Sequence, residues 1–316
     1  TLDVDKLDRQ LPVIIPFAAI EQHGPHLPTG TDTYITEGLL RHLDARDPEK
    51  FLWLPVQRFG SSSHHMPFCG SLTLSSRTFL DTARELVECF FSHGFTRFIL
   101  LNGHGGNQAL LNVAVQEARL GAGNVTADES RAGLKIIHAT YWTLAAERFE
   151  EIRESAPGGM GHAGEMETSV MLALHPELVR TDLLAPDGEA QRCRFDHKDM
   201  LEPGRVGQFR LWNEWSQGGV LLRRAPHLLL LDRFAVVYNS FLNSKARRCD
   251  FLLPPLCAQQ AQPQPLSKVR RRDALMQCVL LLQFHSILRV AKYTCLLYTS
   301  DAADDTPCVD LGGRRI

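Results

Sequence analysis

The strongest constraint on how this chain folds is a pattern that occurs twice. A short apolar run, residues 12–17, ends in a polar stretch rich in Gly and Pro, and a helical pattern follows over 34–43. A second apolar run, 98–101, ends in Asn102-Gly103-His104-Gly105-Gly106-Asn107, and a helical pattern follows over 108–120. Short apolar runs that alternate with helical segments and are bounded by turn residues read as buried strands of an α/β protein. Residues 51–56 and 134–139 extend the alternation as further strands. Phe79, Leu80, Ala83, Leu86, Val87, Phe90 and Phe91 give 76–93 helical spacing, and Gly94 suits a helix stop. A helix over 167–174 is closed by His175-Pro176, because the residue before Pro is pushed out of the α region. Ligands of an open α/β sheet bind at the carboxyl ends of its strands. The residues just past 17 and 101 are therefore the first place to look for chemistry.

Three clusters carry it. The first is Glu21-x-His23 with Asp32 nine residues beyond the histidine, in a loop shaped by Gly24, Pro25, Pro28 and Gly30. Any one of these residues alone reads best as a chance surface-loop residue. Two carboxylates and an imidazole together, right after a buried strand, are the mixed O and N donors that a divalent hydrolytic metal takes. The second cluster is 102–107, where glycines around His104 let the backbone come close to a bound group. It has neither the Lys and Ser/Thr of a phosphate loop nor the spacing of a dinucleotide-binding one. In the third, the glycines of 158–161 lead to His162, Glu165 and Glu167 at a helix start. Acids there are also favoured by the helix dipole, by about 0.3–1 kcal/mol, so capping accounts for both glutamates but not for His162. His26, beside the first cluster, reads equally as a residue that orients the ligands or as a loop histidine with a satisfied hydrogen bond, and Trp142, Trp212 and Trp215 read as core or interface residues.

Composition narrows the function classes. At 316 residues with 44% hydrophobic and 22% charged side chains, the chain suits a soluble globular enzyme with a sizeable core. A formal net charge of −2 argues against nucleic acid or an anionic membrane as partner. The apolar stretch around 280–282 is too short to span a bilayer. No CxxC pair occurs, which argues against a structural zinc site. Cys69, Cys89 and Cys193 are scattered as reduced thiols of a cytoplasmic protein are. The opening Thr-Leu-Asp-Val-Asp-Lys has no basic region followed by an apolar one, so no signal peptide is expected. It also lacks an initiator Met, so the expectation is a cut or incomplete N-terminus.

In this order and spacing, EQHGPHLPTGTD (21–32), NGHGGN (102–107) and HAGEMETS (162–169) resemble the creatininase family of metal-dependent amidohydrolases. The resemblance covers roughly residues 12–179 and extends toward 220. It implies a three-layer αβα fold with a largely parallel central sheet, two divalent metal ions (Zn, Mn or Fe) and a homo-oligomer, commonly a hexamer. Carried over by motif, Glu21, Asp32 and His104 are ligands of one metal, and His23 and Asp32 of the other, with Asp32 bridging. His162 matches the proton-shuttle histidine, and Glu167 is an orienting or alternative metal-binding carboxylate with a catalytic role. His64 and His65 fall in a region near the family's pocket and are expected to bind substrate. Two departures stand out. The creatininase that gives the family its name has Tyr and Glu where this chain has Gly105 and Gly106, and that Glu binds the second metal. Glu165, where that enzyme is apolar, is expected to supply the carboxylate instead. The enzyme's substrate-covering tryptophans lie near a segment, 151–161, that here contains none, which argues against creatinine as substrate.

The expected activity is hydrolysis of an amide C–N bond in a small molecule: a cyclic amide, a formamide or a small peptide. Two rivals stand beside it, a metal-binding regulatory relative without turnover and a metal-dependent phosphoesterase. The latter needs Arg or Lys at the anion, and the three clusters contain neither. Beyond 220 the periodicity is lost and Cys density rises. Cys295 to Asp304 reads as the translation of a transposase adapter used in sequencing libraries. The expected organisation is a metallohydrolase domain over 1–220, frame-shifted sequence over 221–294 and adapter read-through over 295–316.

Overall fold

Strand and helix alternate along one parallel sheet. The computed structural model describes residues 2–184 except 122–123, 125, 127 and 156–157, and in addition 199–201, 211–214, 216–218 and 220. Trp215 and the two segments 221–294 and 295–316 lie outside the described residues. In chain order the elements are α1 (Leu2–Asp5), β1 (Val13–Phe17), α2 (Thr31–Arg46), β2 (Leu52–Trp53), α3 (Ser76–Ser92), β3 (Arg97–Asn102), α4 (Gln108–Leu120), β4 (Lys135–Thr140), α5 (Tyr141–Leu144), α6 (Ala146–Ile152) and α7 (Glu165–Leu174). The strands pair in the order β2-β1-β3-β4, all parallel.

Alternation along the strands builds the layers. Ile14, Ile99, Leu101 and Ala139 point to one face and pack with Leu39, Leu40 and Leu43 of α2, with Met166, Val170 and Met171 of α7, and with Trp142 and Phe149. Val13, Ile15, Phe17, Phe98 and Leu100 point to the other face and meet Phe79, Leu80, Ala83 and Val87 of α3 and Leu111, Ala114 and Ala118 of α4. Burying each of the larger side chains stabilises the fold by about 1.5–3 kcal/mol. Helices therefore cover both sheet faces, and the expected three-layer αβα architecture with a parallel central sheet is the one observed.

The boundaries differ from the sequence reading in instructive places. The strand expected over 51–56 pairs as a ladder only at Leu52–Trp53. The N–H groups of Leu54 and Gln57 donate to the carbonyl oxygens of Ile14 and Pro16, three residues against two, so the register breaks between them, and the chain rejoins β1 through a single bridge from Gln57 to Phe17. Helix α2 begins at Thr31 rather than near Tyr34, which places Asp32 in its first turn. Helix α7 begins at Glu165 rather than Glu167. Helices α5 and α6 were not expected. Gly94 and Gly121 do follow helix ends with φ of +89° each, where a side chain would be strained.

The strand order also decides where a site can form. From β1 the chain crosses to β2 through α2 on one face. From β3 it crosses to β4 through α4 on the other. Between the carboxyl ends of β1 and β3 the two connections diverge to opposite faces and leave a crevice, the topological switch point at which such sheets bind ligands.

Candidate metal centre

All three sequence clusters converge at that crevice. Glu21 follows β1, its N–H held by the carbonyl oxygen of Thr29 at 3.0 Å. His23 is oriented by its own loop: Nδ1 lies 3.1 Å from the carbonyl oxygen of Glu21, so it carries the proton. Nε2 then faces Asp32 Oδ1 at 3.1 Å and Glu167 Oε2 at 3.7 Å. Asp32 sits in the first turn of α2, where the helix dipole favours a carboxylate.

The loop after β3 is fastened at both ends. Asn102 Oδ1 accepts from the His104 N–H at 3.0 Å. Asn107 donates to the carbonyl oxygen of Ala18 at 3.1 Å and accepts from the Ser61 N–H at 2.8 Å. His104 is thereby held between two carboxylates, with Nδ1 3.1 Å from Asp32 Oδ2 and Nε2 3.3 Å from Glu21 Oε2.

The third cluster arrives on a strained turn. Ala163 has φ of +51°, a left-handed conformation that costs a non-glycine residue about 1–2 kcal/mol. In return its N–H donates to Glu167 Oε2 at 2.6 Å. His162 Nε2 lies 2.6 Å from the carbonyl oxygen of Gln22 and so carries the proton. Its Nδ1 faces Glu21 Oε1 at 3.4 Å.

Glu165, expected to bind metal, is placed apart from these residues. Its two oxygens accept from the backbone N–H groups of Glu154 and Ser155, at 2.8 and 2.7 Å. Residues two apart on a helix face different ways, so Glu165 fastens the preceding loop while Glu167 reaches His23. Of the histidines expected near substrate, His65 is fully buried, with Nε2 3.2 Å from Glu21 Oε1. His64 is half-buried beside it, with ring centroids 4.3 Å apart.

Two neighbours were missed from sequence. Gln22 bridges the cluster, its amide nitrogen 2.9 Å from His65 Nδ1. It lies between two singled-out residues, which is the only signal it offers. Trp212, read as core or interface, stacks on His65 at 4.9 Å and meets His162 edge-on at 4.8 Å. Nothing in its sequence neighbourhood points there. Trp142 is buried in the core as expected, and His26 is buried with Nε2 3.0 Å from Thr168 Oγ1.

The electrostatics suit a cation. Glu21, Asp32 and Glu167 are each at most 3% exposed. Among the described residues, every ion pair they make is with a histidine. Burial opposes a charge on His23, but Asp32 and Glu167 outweigh it and raise its pKa well above the ordinary value. Burial likewise opposes a charge on His104, and Glu21 with Asp32 raises it. Burial would raise Asp32, yet His23 and His104 hold it well below the carboxylate range. Burial dominates for His162, which is pushed well below the histidine range and is neutral. Buried carboxylates need cationic partners, and here protons on two imidazoles stand where metal ions would. Glu21 Oε2 and Asp32 Oδ2 are buried without a hydrogen bond, leaving lone pairs aimed into the cluster. Donor atoms of His23, Asp32 and Glu167 lie within 4.8 Å of one another, as do those of Glu21, His23 and His162. The residues fit divalent metal ions.

Residues 2–226 match the family model named Creatininase and described as creatinine amidohydrolase. The chain is 33% identical over 180 residues to the mycofactocin precursor peptide peptidase of Mycobacterium tuberculosis, covering 54% of this chain and 61% of that one. It is 27% identical over 189 residues to the creatinine amidohydrolase of Pseudomonas putida, covering 54% and 66%. The chain thus spans less than two thirds of the length of either relative. The crystal structure of a creatinine amidohydrolase (creatininase) superposes with a TM-score of 0.52 at 23% identity, covering 67% of this chain and 79% of that one, which shows a shared fold.

Proposed function

The chain belongs to the creatininase family, and on that premise we propose that it is a metal-dependent amidohydrolase that cleaves an amide C–N bond. The observation that carries this reading is the convergence of three buried carboxylates whose ion pairs, among the described residues, are all with histidine. Glu21, His23, Asp32, His104 and Glu167 would hold two divalent ions, with Asp32 facing both halves of the centre. Zn, Mn and Fe all accept such an N/O donor set. Ions held there would supply Lewis acidity toward a carbonyl oxygen and activation of water.

The chain's own residues do the rest. Gln22 fixes the tautomer of His162 by accepting from Nε2–H, so Nδ1 presents a lone pair toward Glu21. A neutral imidazole there takes up a proton from the attacking water and returns it to the departing nitrogen, as a histidine does near neutral pH. Trp212 shields His65 and His162 on one side. The substrate class is a small cyclic amide, a formamide or a small peptide. Among the described residues, no Lys or Arg pairs with the cluster, which disfavours a phosphoester, whose anion needs a cationic clamp.

Metal analysis with a panel of amide substrates tests the proposal. The expected result is about two divalent ions per chain, and a turnover loss of roughly 10²–10⁴-fold in His162→Ala. Protein without bound metal, whose metal content Asp32→Ala leaves unchanged, would refute it. The same reading takes the protein as a cytoplasmic homo-oligomer of hexameric size, measurable by sedimentation velocity. It assigns the metallohydrolase domain to 1–220, although the family match runs slightly past that boundary to residue 226. It reads 221–294 as frame-shifted and 295–316 as adapter sequence. Genomic sequencing across those codons decides that point, and a read preserving the tail overturns it.

A further inference from the structure

Resting on the two-metal reading, we infer that His64 is itself a metal ligand, completing one of the two sites together with Glu21 and His104. Sequence comparison assigned His64 only to the surroundings of the substrate. Gly106 stands beside it, where the family's namesake has a Glu that binds the other metal, the one that Glu167 faces here together with His23 and Asp32.

The geometry sets His64 beside two ligands of the first metal. Residues Ser63–His65 form a single 3-10 turn that lies against the loop after β3. The ring of His64 is nearly parallel to that of His104, at an interplanar angle of 13° and a centroid separation of 5.7 Å. Ligand atoms from Glu21, His64 and His104 all lie within 4.8 Å of one another. One carboxylate oxygen and two imidazole nitrogens thus converge, three ligands being the number a protein usually contributes to an open hydrolytic site. Glu21 Oε2 faces this group from a fully buried position without a hydrogen bond.

Gly106 is what allows it. A Cβ there would lie 2.1 Å from the carbonyl oxygen of Ser61, 2.6 Å from His104 Nε2 and 2.9 Å from His64 Cε1. The first clash is with backbone, so no side chain fits while the 61–65 turn sits in place. A side chain at 106 and the imidazole of His64 therefore compete for the same space, and Gly106 leaves it to the imidazole. The added donor has a chemical consequence. A second imidazole nitrogen beside Glu21 moves the site toward donors that suit Zn and Fe over Mn.

The test measures metal rather than turnover. Zn²⁺ and Mn²⁺ are titrated calorimetrically into the metal-stripped wild-type chain, His64→Ala and His64→Glu, with far-UV circular dichroism as a check of folding. The expected wild type binds about two Zn²⁺. His64→Ala should keep one ion and bind the other more weakly by more than the roughly 10–100-fold that loss of a mere orienting partner costs. His64→Glu, which restores a donor, should recover the second ion and shift its preference toward Mn²⁺. Two Zn²⁺ bound to His64→Ala with wild-type affinities would overturn the inference, whatever happens to KM, and leave the two-metal reading standing. A wild-type chain that binds neither ion would instead bring down the reading on which the inference rests.

Discussion

Glu165 and Glu167 occupy the same helical turn and have opposite duties. Glu165 satisfies two backbone donors of the loop before α7, whereas Glu167 faces His23 across the crevice. Glu165→Ala leaves those donors buried without partners and should destabilise the fold by about 3 kcal/mol, read from urea denaturation, with metal content unchanged. Glu167→Gln should reverse the pattern, with bound metal lost and little change in the stability of the stripped protein. His26 provides a pH signature at the same scale. Burial, with help from the charge on His23, holds its pKa down from 6.5 to about 4. Between those values the unfolded chain binds a proton that the native chain does not, so stability is lost as pH falls from 6.5 to 4 and the effect levels off below. The full loss is on the order of 3 kcal/mol. His26→Gln should flatten that part of the stability profile.

Helices and strands were legible where local chemistry dictates them. The end of α4 matches the sequence reading because Gly121, with its positive φ, stops the helix. Helix α3 starts as expected because Ser75 accepts from the Thr78 N–H, a cap of the preferred kind. The strand over 51–56 was over-read because its apolar run conceals the extra residue between Leu54 and Gln57 that breaks the register with β1. Helices α5 and α6 were missed because each is short and is held by packing rather than by periodicity. The join between β3 and α2 belongs to this scale too. A Cβ on Gly103 would lie 1.9 Å from Thr36 Oγ1, a stiff β-branched side chain at the heart of α2. Gly103→Ala should therefore lower the urea midpoint by an amount equivalent to about 1–3 kcal/mol, and weaken metal binding by shifting the neighbouring His104.

Across the whole molecule, the candidate centre draws ligands from segments far apart in the chain, so folding and metal binding are linked. Ions that bind only the native state stabilise it by mass action, by about 2.7 kcal/mol at a free concentration of roughly 100 times Kd. Chelation should lower Tm, and added Zn²⁺ should restore it in a concentration-dependent way; a Tm indifferent to both would show that the cluster does not hold metal. Sequence alone determined the α/β class and the family, together with the residues that meet at the strand ends. Strand periodicity, glycine-rich loops and donor chemistry are local properties, and a linear chain displays them. Only the tertiary structure decided that Glu167 rather than Glu165 faces the centre, that Trp212 covers it, and that His64 lies beside His104 over Gly106. Those outcomes depend on which way each helix turns its side chains and on how closely two loops pack, and the chain sets neither until it is folded.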